Sequence, residues 1–291
     1  MSSTPIRSTM VENRPWLDGL AHAVMILGAA LVLFPLWIAF VASTMQGSDL
    51  INSVVPLWPG DHFLENYATA LQAGSKAAGG VPVALMLMNS LIMALAIAVG
   101  KIAISLTSAY AIVYFRFPLR MACFWMIFIT LMLPVEVRIL PTFEVVADFG
   151  LLNSYAGLTL PLIASATATF LFRQFFLTVP DELLEAARMD GAGPMRFFTD
   201  ILLPLSRTNI AALFVILFIF GWNQYLWPLL ITTDENYYTV GMGLQRMLAV
   251  PDSEPQWHLV MATSLLALLP PVAVVVGMQR LFVKGLVETE K

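Results

Sequence analysis

Six long apolar stretches constrain this chain more than any other feature of its sequence. A helix of about 20 residues crosses the roughly 30 Å hydrocarbon core of a membrane, and each stretch reaches that length. Only 12% of the 291 residues are charged, which is about half the share found in soluble domains. The sequence therefore predicts an all-α membrane protein with six transmembrane helices. The predicted spans cover residues 20–43, 84–112, 121–141, 155–176, 209–231 and 258–279.

Basic residues are distributed unevenly among the segments that flank these spans. With both termini placed inside, eleven of the fifteen lysines and arginines fall on the inner side and two on the outer side. Such an excess is typical of cytoplasmic segments. We therefore expect a cytoplasmic N-terminal segment over 1–19, a transmembrane domain over 20–283 with a cytoplasmic loop at 177–208, and a cytoplasmic tail over 284–291. The first span exceeds the roughly 7–15 apolar residues of a signal-peptide core, so we expect it to remain as an anchor.

A polar, charged island fills the loop 177–208, between the fourth and fifth spans. Its pattern predicts two short helices separated by a glycine, which readily takes the left-handed conformation after a helix. The first helix carries two alanines, which are small enough to let it settle into the groove of a partner, and two carboxylates for the rim of that groove. The alternative is an amphipathic helix lying at the lipid headgroups. The residues that would meet the partner are Glu185, Ala186, Ala187, Asp190 and Gly191.

The same loop carries a spaced motif, with Glu-Ala-Ala at 185–187, then Gly191, Ile201 and Leu203-Pro204. This spacing resembles the EAA signature of the membrane subunits of binding-protein-dependent ABC importers. The resemblance implies the type I ABC importer permease fold, in which this first helix is a coupling helix seated in a cleft of an ATPase. It also implies a second, similar permease in a heterodimer, an ATPase dimer that uses ATP and Mg, and a periplasmic binding protein. The implied location is the bacterial inner membrane.

Longer stretches narrow the resemblance to particular branches of this family. WNQYLWPLL at 222–230 and MNSLIMALAI at 88–97 are similar to the carbohydrate-uptake branch. LMLPVEVRILPTFEV at 131–145 and NSYAGLTLPLIASATATFLFRQFF at 153–176 resemble permeases of glycerol-3-phosphate importers. The implied substrates are sn-glycerol-3-phosphate or glycerophosphodiesters, with a neutral sugar as the alternative within the same family.

Motifs for ATP hydrolysis, metal binding and covalent catalysis are missing from the sequence. Gly100-Lys101 lacks the upstream glycine and the following Ser or Thr of a phosphate-binding loop, and the three histidines have no metal-like spacing. We therefore expect a transport subunit without a cofactor of its own, rather than an enzyme. The net charge of −4 argues against a nucleic-acid partner. An ion-coupled secondary transporter, the alternative of another class, would be expected to show an internal repeat and intramembrane carboxylates for coupling. We find no clear repeat and one carboxylate within a span.

Charged and polar side chains inside the spans are the candidates for a substrate path. A charge near mid-membrane costs about 2.5–3.5 kcal/mol on insertion scales, so we expect Lys101 to face the bundle interior, where it attracts an anion or pairs with the partner permease. Arg138 near the outer end of the third span either passes a phosphate or forms an ion pair at the mouth. Aromatic residues of the fifth span either mark the membrane interface or line the path. The candidates are Lys101, Asn89, Arg138, Trp222, Asn223 and Tyr225.

The outer loop 232–257 is polar and rich in turn residues, so it does not enter the lipid. In similar permeases the corresponding loop reaches toward the binding protein. Carboxylate, amide and phenol groups suit a transient interface of that kind. We expect contact through Glu235, Asn236, Tyr237 and Tyr238.

Overall fold

Helices and turns make up every part of the chain that the computed structural model describes, and these parts contain no β-strand. The predicted all-α class is confirmed for them. The described ranges are 15–52, 54–130, 135–249 and 254–288.

Fifteen α-helices follow one another in the described ranges, joined by short 3-10 turns and one π-helical turn at 198–202. They are α1 (Pro15–Ser43), α2 (Gly47–Asn52), α3 (Phe63–Gln72), α4 (Val83–Tyr114), α5 (Arg120–Ile129), α6 (Val135–Asp148), α7 (Tyr155–Thr159), α8 (Ala166–Phe176), α9 (Asp181–Met189), α10 (Pro194–Phe197), α11 (Leu203–Leu205), α12 (Arg207–Trp222), α13 (Leu226–Ile231), α14 (Val240–Leu248) and α15 (Trp257–Glu288).

Three of these helices are long and apolar enough to cross a membrane as single rods. Their crossing parts are Gly19–Ser43 in α1, Val83–Tyr114 in α4 and Trp257–Gln279 in α15. They match the first, second and sixth predicted spans. The first and last predicted segments, 1–19 and 284–291, lie partly outside the described residues.

The other three predicted spans are not single straight helices. The fourth is a pair of helices bent by 48° between Leu162 and Ala166. The fifth stops at Trp222 and restarts at Leu226. The third is divided between α5 and α6, and residues 131–134 between them lie outside the described ranges. The count of six spans therefore stays a prediction.

Prolines explain why the fourth and fifth predicted spans break. Proline lacks an N–H, and its ring collides with the carbonyl four residues earlier in a continuous helix. Pro161 therefore leaves the carbonyl of Gly157 without a helical donor. Pro228 likewise leaves the carbonyl of Gln224 without a helical donor, so α12 does not continue into α13. The positions of the prolines in the sequence did not predict where the chain would bend, because prolines inside membrane helices are often tolerated.

Two tryptophans donate to carbonyls that prolines have released. The indole N–H of Trp227 donates to the carbonyl of Gly157 at 3.1 Å, four residues before Pro161. The indole N–H of Trp222 donates to the carbonyl of Ala267 at 3.1 Å, four residues before Pro271. Each bond satisfies a buried acceptor that water could not reach in a membrane. The tryptophans thus fasten α12 to α15, and α13 to α7.

α4 is the central helix of the bundle and packs most extensively against α8 and α12. Small residues allow the close approach to α12. A Cβ atom added to Gly221 would lie 2.9 Å from the Cα atom of Ala94, so any larger residue there would push the two backbones apart. Small residues at helix contacts serve the same purpose in membrane bundles generally.

α1 leaves most of its apolar surface uncovered by the rest of the chain. Only 6% of its crossing window is buried, and its buried residues lie at the C-terminal end, from Val41 to Ser43. Apolar side chains on such a helix face either lipid or another subunit, because neither surface penalises them.

Candidate functional site

The break between α12 and α13 forms one wall of a cavity of about 280 Å³. The opposite wall comes from α6 and from the 3-10 turn that follows α7. Because the break removes regular helix, polar side chains of the fifth predicted span project into this space. The polar and aromatic lining residues are Arg138, Thr142, Phe220, Asn223, Gln224, Tyr225 and Trp227.

Lys101 lies beside this cavity, inside the bundle. Its side chain is only 7% exposed, and its Nζ atom sits 3.8 Å from the centroid of the Phe220 ring, which lines the cavity. An ammonium over an aromatic face is attracted to the negative face of the ring. Arg138 lines the same cavity. The structure therefore brings together two candidates that the sequence placed in different spans.

Neither cation has a carboxylate within 4.0 Å among the side chains that the structure describes. The ion pair considered for Arg138 at the outer mouth, either with Glu136 or with another subunit, stays a prediction, because the Glu136 side chain lies outside that set. A buried ammonium and a neighbouring guanidinium give this cavity a positive potential, because little water reaches Lys101 to screen its charge. The arrangement suits a small anion with polar groups that amides and phenols can bind.

The remaining path candidates lie at different distances from this cavity. Asn223 and Tyr225 line it, and their place in a substrate path stays a prediction. Trp222 is 4% exposed, stacks on Phe218 and donates to the carbonyl of Ala267. Its side chain therefore serves helix packing, and a contact with substrate stays a prediction. Sequence reasoning missed Phe220, although its spacing of three residues from Asn223 is a signal for a shared helix face.

Asn89 is engaged entirely within the chain. It is completely buried, and its Nδ2 atom donates to the carbonyls of Asn236 and Tyr238, at 2.8 and 2.9 Å. Its Oδ1 atom accepts from the Tyr155 hydroxyl at 2.6 Å. The side chain thus has no unused N–H for a ligand, and it lies in the contact between α4 and the segment that follows α13.

The four residues predicted to meet a binding protein differ in exposure. Glu235 and Asn236 are exposed and Tyr237 is partly buried against the ring of Tyr155, 5.2 Å away. Tyr238, however, is 3% exposed and accepts a hydrogen bond from Arg246 at 2.6 Å. Because its side chain lies inside the chain, the surface available to a partner is that of Glu235, Asn236 and part of Tyr237.

α9 ends in the hydrogen-bond pattern of a Schellman motif. The N–H of Ala192 donates to the carbonyl of Ala187 at 2.9 Å, and the N–H of Gly191 donates to that of Arg188 at 3.1 Å. Gly191 has a φ of 74°, the left-handed conformation that glycine adopts without a steric penalty. The prediction that Gly191 ends the first helix of the loop is confirmed.

The predicted partner-facing residues of this helix are mostly on its surface. Glu185, Ala186, Asp190 and Gly191 are exposed, whereas Ala187 is 5% exposed and packs inside the chain. The small side chain of Ala187 therefore lets α9 lie close to its own bundle. A role of Ala187 toward a partner stays a prediction.

Aromatic residues at the end of α4 hold the loop in place. The Tyr110 hydroxyl donates to the carbonyl of Pro194 at 2.7 Å, and the rings of Tyr114 and Phe197 are 5.3 Å apart. A second cavity, of about 600 Å³, lies between this end of α4 and the loop, with Arg116 and Arg188 in its lining. The loop is therefore docked on α4 rather than free.

Comparison with known proteins identifies the family to which these features correspond. Residues 101–288 match the family described as binding-protein-dependent transport system inner membrane component. The sn-glycerol-3-phosphate transport system permease proteins UgpE of Agrobacterium fabrum strain C58 and of Rhizobium meliloti strain 1021 are 62% and 61% identical to this chain. The UgpE protein of Salmonella typhi is 60% identical. Each alignment spans 282 residues, 97% of this chain and 100% of the relative.

A solved structure shares the fold. The crystal structure of a bacterial ABC transporter involved in the import of the acidic polysaccharide alginate contains a chain that superimposes with a TM-score of 0.76 at 22% sequence identity. The superposition covers 95% of this chain and 99% of that one. The overall fold of this chain is thus one already known from an ABC transporter.

Proposed function

Because this chain belongs to the family of binding-protein-dependent transport system inner membrane components, we propose that it is a permease subunit of an ATP-driven importer for sn-glycerol-3-phosphate. The full-length relatives named for that transport system support this substrate. Glycerophosphodiesters share the glycerophosphate group and are included in the proposal. A partner ATPase hydrolyses ATP with Mg, and this chain supplies part of the path.

The cavity between α6 and the break in α12–α13 is the observation that carries the choice of an anionic substrate. A phosphate that leaves water loses hydration, and fixed positive charges offset part of that loss. Lys101 and Arg138 provide two such charges, and Asn223 and Tyr225 provide hydrogen-bonding groups for the glycerol hydroxyls. An ammonium acts as a point charge and lacks the bidentate grip of a guanidinium, so Lys101 helps an anion pass without trapping it.

α9 is the proposed coupling helix. Its exposed Glu185, Ala186 and Asp190 form the surface for the ATPase, and the Schellman motif at Gly191 fixes where that surface ends. Tyr110 and Tyr114 join the loop to α4, which contains Lys101. Movement imposed on α9 by the ATPase therefore reaches the helix beside the cavity directly.

The proposed architecture has six spans and both termini in the cytoplasm of a bacterial inner membrane. The spans are α1, α4, the α5–α6 segment, the bent α7–α8 segment, the broken α12–α13 segment and α15. The division into a segment 1–19, a domain 20–283 with the loop 177–208, and a tail 284–291 follows from this arrangement. A second, similar permease completes the path as a heterodimer partner, and the uncovered surface of α1 is available to it or to lipid. The binding protein docks on the outer segment through Glu235 and Asn236.

A transport assay tests the substrate. The complete complex is reconstituted in proteoliposomes with ATP inside and binding protein outside, and uptake of labelled sn-glycerol-3-phosphate, glycerophosphocholine and maltose is compared. We expect ATP-dependent uptake of the phosphate compounds and none of maltose. Omission of ATP is the control. Uptake of the neutral sugar alone would overturn the proposal in favour of the sugar-importing branch.

A further inference from the structure

The side chain of Asn89 connects three elements that are distant in sequence. From α4 it donates both amide N–H groups to the carbonyls of Asn236 and Tyr238, and its oxygen accepts from the hydroxyl of Tyr155 in α7. All three bonds are 2.6–2.9 Å long. Buried networks in which every group is satisfied fix the relative position of the elements that they join.

Neighbouring contacts reinforce this connection. The Ser90 hydroxyl accepts from the N–H of Val240 at 2.8 Å, so two consecutive residues of α4 hold the segment on both sides of Tyr238. The Tyr155 ring packs edge-on against Tyr237 at 5.2 Å. The exposed residues Glu235 and Asn236 therefore sit on a turn that is fastened to α4 at its base.

α4 carries this attachment to the cavity without interruption. The helix runs unbroken from Val83 to Tyr114 and contains no proline. Ser90 and Lys101 are eleven residues apart, which places them on nearly the same helical face and about 16 Å apart along the axis. A displacement of the turn at 235–237 is thus transmitted to Lys101 as movement of a single rod.

We propose that Asn89 is a positioning residue that couples docking of the binding protein on the 235–237 turn to movement of α4 and of Lys101. The inference rests on the proposed function, because it takes this turn as the docking surface. Asn89 does not touch the substrate. Its contribution is to make the turn and α4 move together. Docking of the binding protein on the turn therefore changes the position of α4 and of Lys101 beside the cavity.

The chain contains a matched control for the loss of a buried asparagine. Asn66 is also buried, at 7% exposure, and its Nδ2 atom likewise donates to two carbonyls, those of Ser43 and Met45, at 2.9 and 2.8 Å. These bonds join α3 to the end of α1 and do not involve the turn. Asn66→Ala therefore reproduces the loss of stability without the loss of the proposed coupling.

The test measures ATPase activity of the reconstituted complex as a function of the concentration of binding protein loaded with sn-glycerol-3-phosphate. For Asn89→Ala we expect the maximal stimulation over the basal rate to fall at least about fivefold, the lower end of typical coupling between sites. The half-saturating concentration should change less, because the exposed surface of the turn remains. Tyr155→Phe, which removes one of the three bonds and keeps the ring, should give a smaller fall. Asn66→Ala should lower the unfolding temperature and retain the stimulation.

If Asn89→Ala assembles, any of three results would overturn the inference. Unchanged maximal stimulation in Asn89→Ala is the first, and an equal loss in Asn66→Ala is the second. The third is a higher half-saturating concentration with an unchanged maximum, which would mean that Asn89 only shapes the docking surface. If Asn89→Ala does not assemble, Tyr155→Phe decides alone, and a normal maximum in that variant overturns the coupling role. Wild-type complex that does not respond to the loaded binding protein would instead overturn the proposed function.

Discussion

Lys101 lies beside the cavity and Arg138 lines it, and no described side chain brings a carboxylate within 4.0 Å of either cation. We expect Lys101→Met to lower the initial rate of sn-glycerol-3-phosphate uptake about tenfold or more, since an interaction with a charged group contributes about 1.5–3 kcal/mol. Methionine keeps the length and the packing of the side chain against Phe220. Assembly of the complex and its basal ATPase rate should remain near those of the wild type.

Lys76→Met is the matched control for this variant. Lys76 is exposed on the 3-10 turn at Lys76–Ala78, away from the cavity, and its replacement removes the same charge from the chain. Its uptake rate should equal that of the wild type. If Lys101→Met also transports at the normal rate, the charge of Lys101 serves the structure and the substrate charge is met by another residue or by the partner permease.

The sequence predicted that Lys101 faces the bundle interior, because a charged ammonium exposed to lipid is costly. It did not identify the neighbour of Lys101, because the contact with Phe220 joins α4 to α12. The same limit applied to Asn89. Its type and depth indicated an interior amide, but only the fold shows that both of its N–H groups are used by the segment 235–238.

At the scale of elements, the end of α9 depends on one backbone conformation. We expect Gly191→Val to uncouple ATP hydrolysis from transport, because a β-branched residue in the left-handed region costs about 1–2 kcal/mol and frays the Schellman motif. The molecules of substrate imported per ATP hydrolysed should fall severalfold in proteoliposomes, while the protein still inserts in the membrane.

Gly193→Val separates backbone strain from the mere addition of a side chain to this loop. Gly193 has an ordinary φ of −72°, and neither glycine has an atom within 4 Å of an added Cβ. Both variants therefore add the same bulk in open space, and only the one at 191 is strained. Equal coupling in the two variants would mean that the left-handed turn does not matter to the ATPase contact.

The straight helices were the elements that the sequence predicted well. Predicted span 84–112 corresponds to α4 at Val83–Tyr114, since a long apolar run without proline has no reason to stop. Spans 155–176 and 209–231 contain prolines at 161 and 228, and hydropathy counts such residues as part of a continuous run. The carbonyls released before Pro161 and Pro271 both accept an indole N–H, yet only the span with Pro161 is bent. Whether a proline bends a helix is therefore decided by the packing of the folded bundle.

At the scale of the whole molecule, the distribution of basic residues sets the orientation. We expect alkaline phosphatase fused after Lys291 to be inactive and a green fluorescent protein fused there to be fluorescent, because basic flanks are retained in the cytoplasm. Fusions within the loop at 232–257 should show the reverse activities. An active phosphatase at the C-terminus would require the opposite orientation and would move α9 away from the ATPase.

The whole chain brings its two predicted contact surfaces onto one helix. The loop around α9 docks near the end of α4 through Tyr110 and Tyr114. The turn at 235–237 docks near its start through Asn89 and Ser90. The apolar run predicted a span here, but it gave no sign that both surfaces would meet it. That convergence is a property of the tertiary fold.

The two indole bonds change what the gap at residues 223–225 can do mechanically. A gap between two helices is ordinarily a hinge, which lets the helices swing independently. Here Trp222 is tied to α15 on one side of the gap and Trp227 to α7 on the other. The gap is therefore attached to neighbouring helices at both ends, and we expect its three residues to keep a fixed position beside the cavity. If the cavity belongs to the proposed path, we therefore expect other elements to move past Asn223 and Tyr225 while these two residues keep their places.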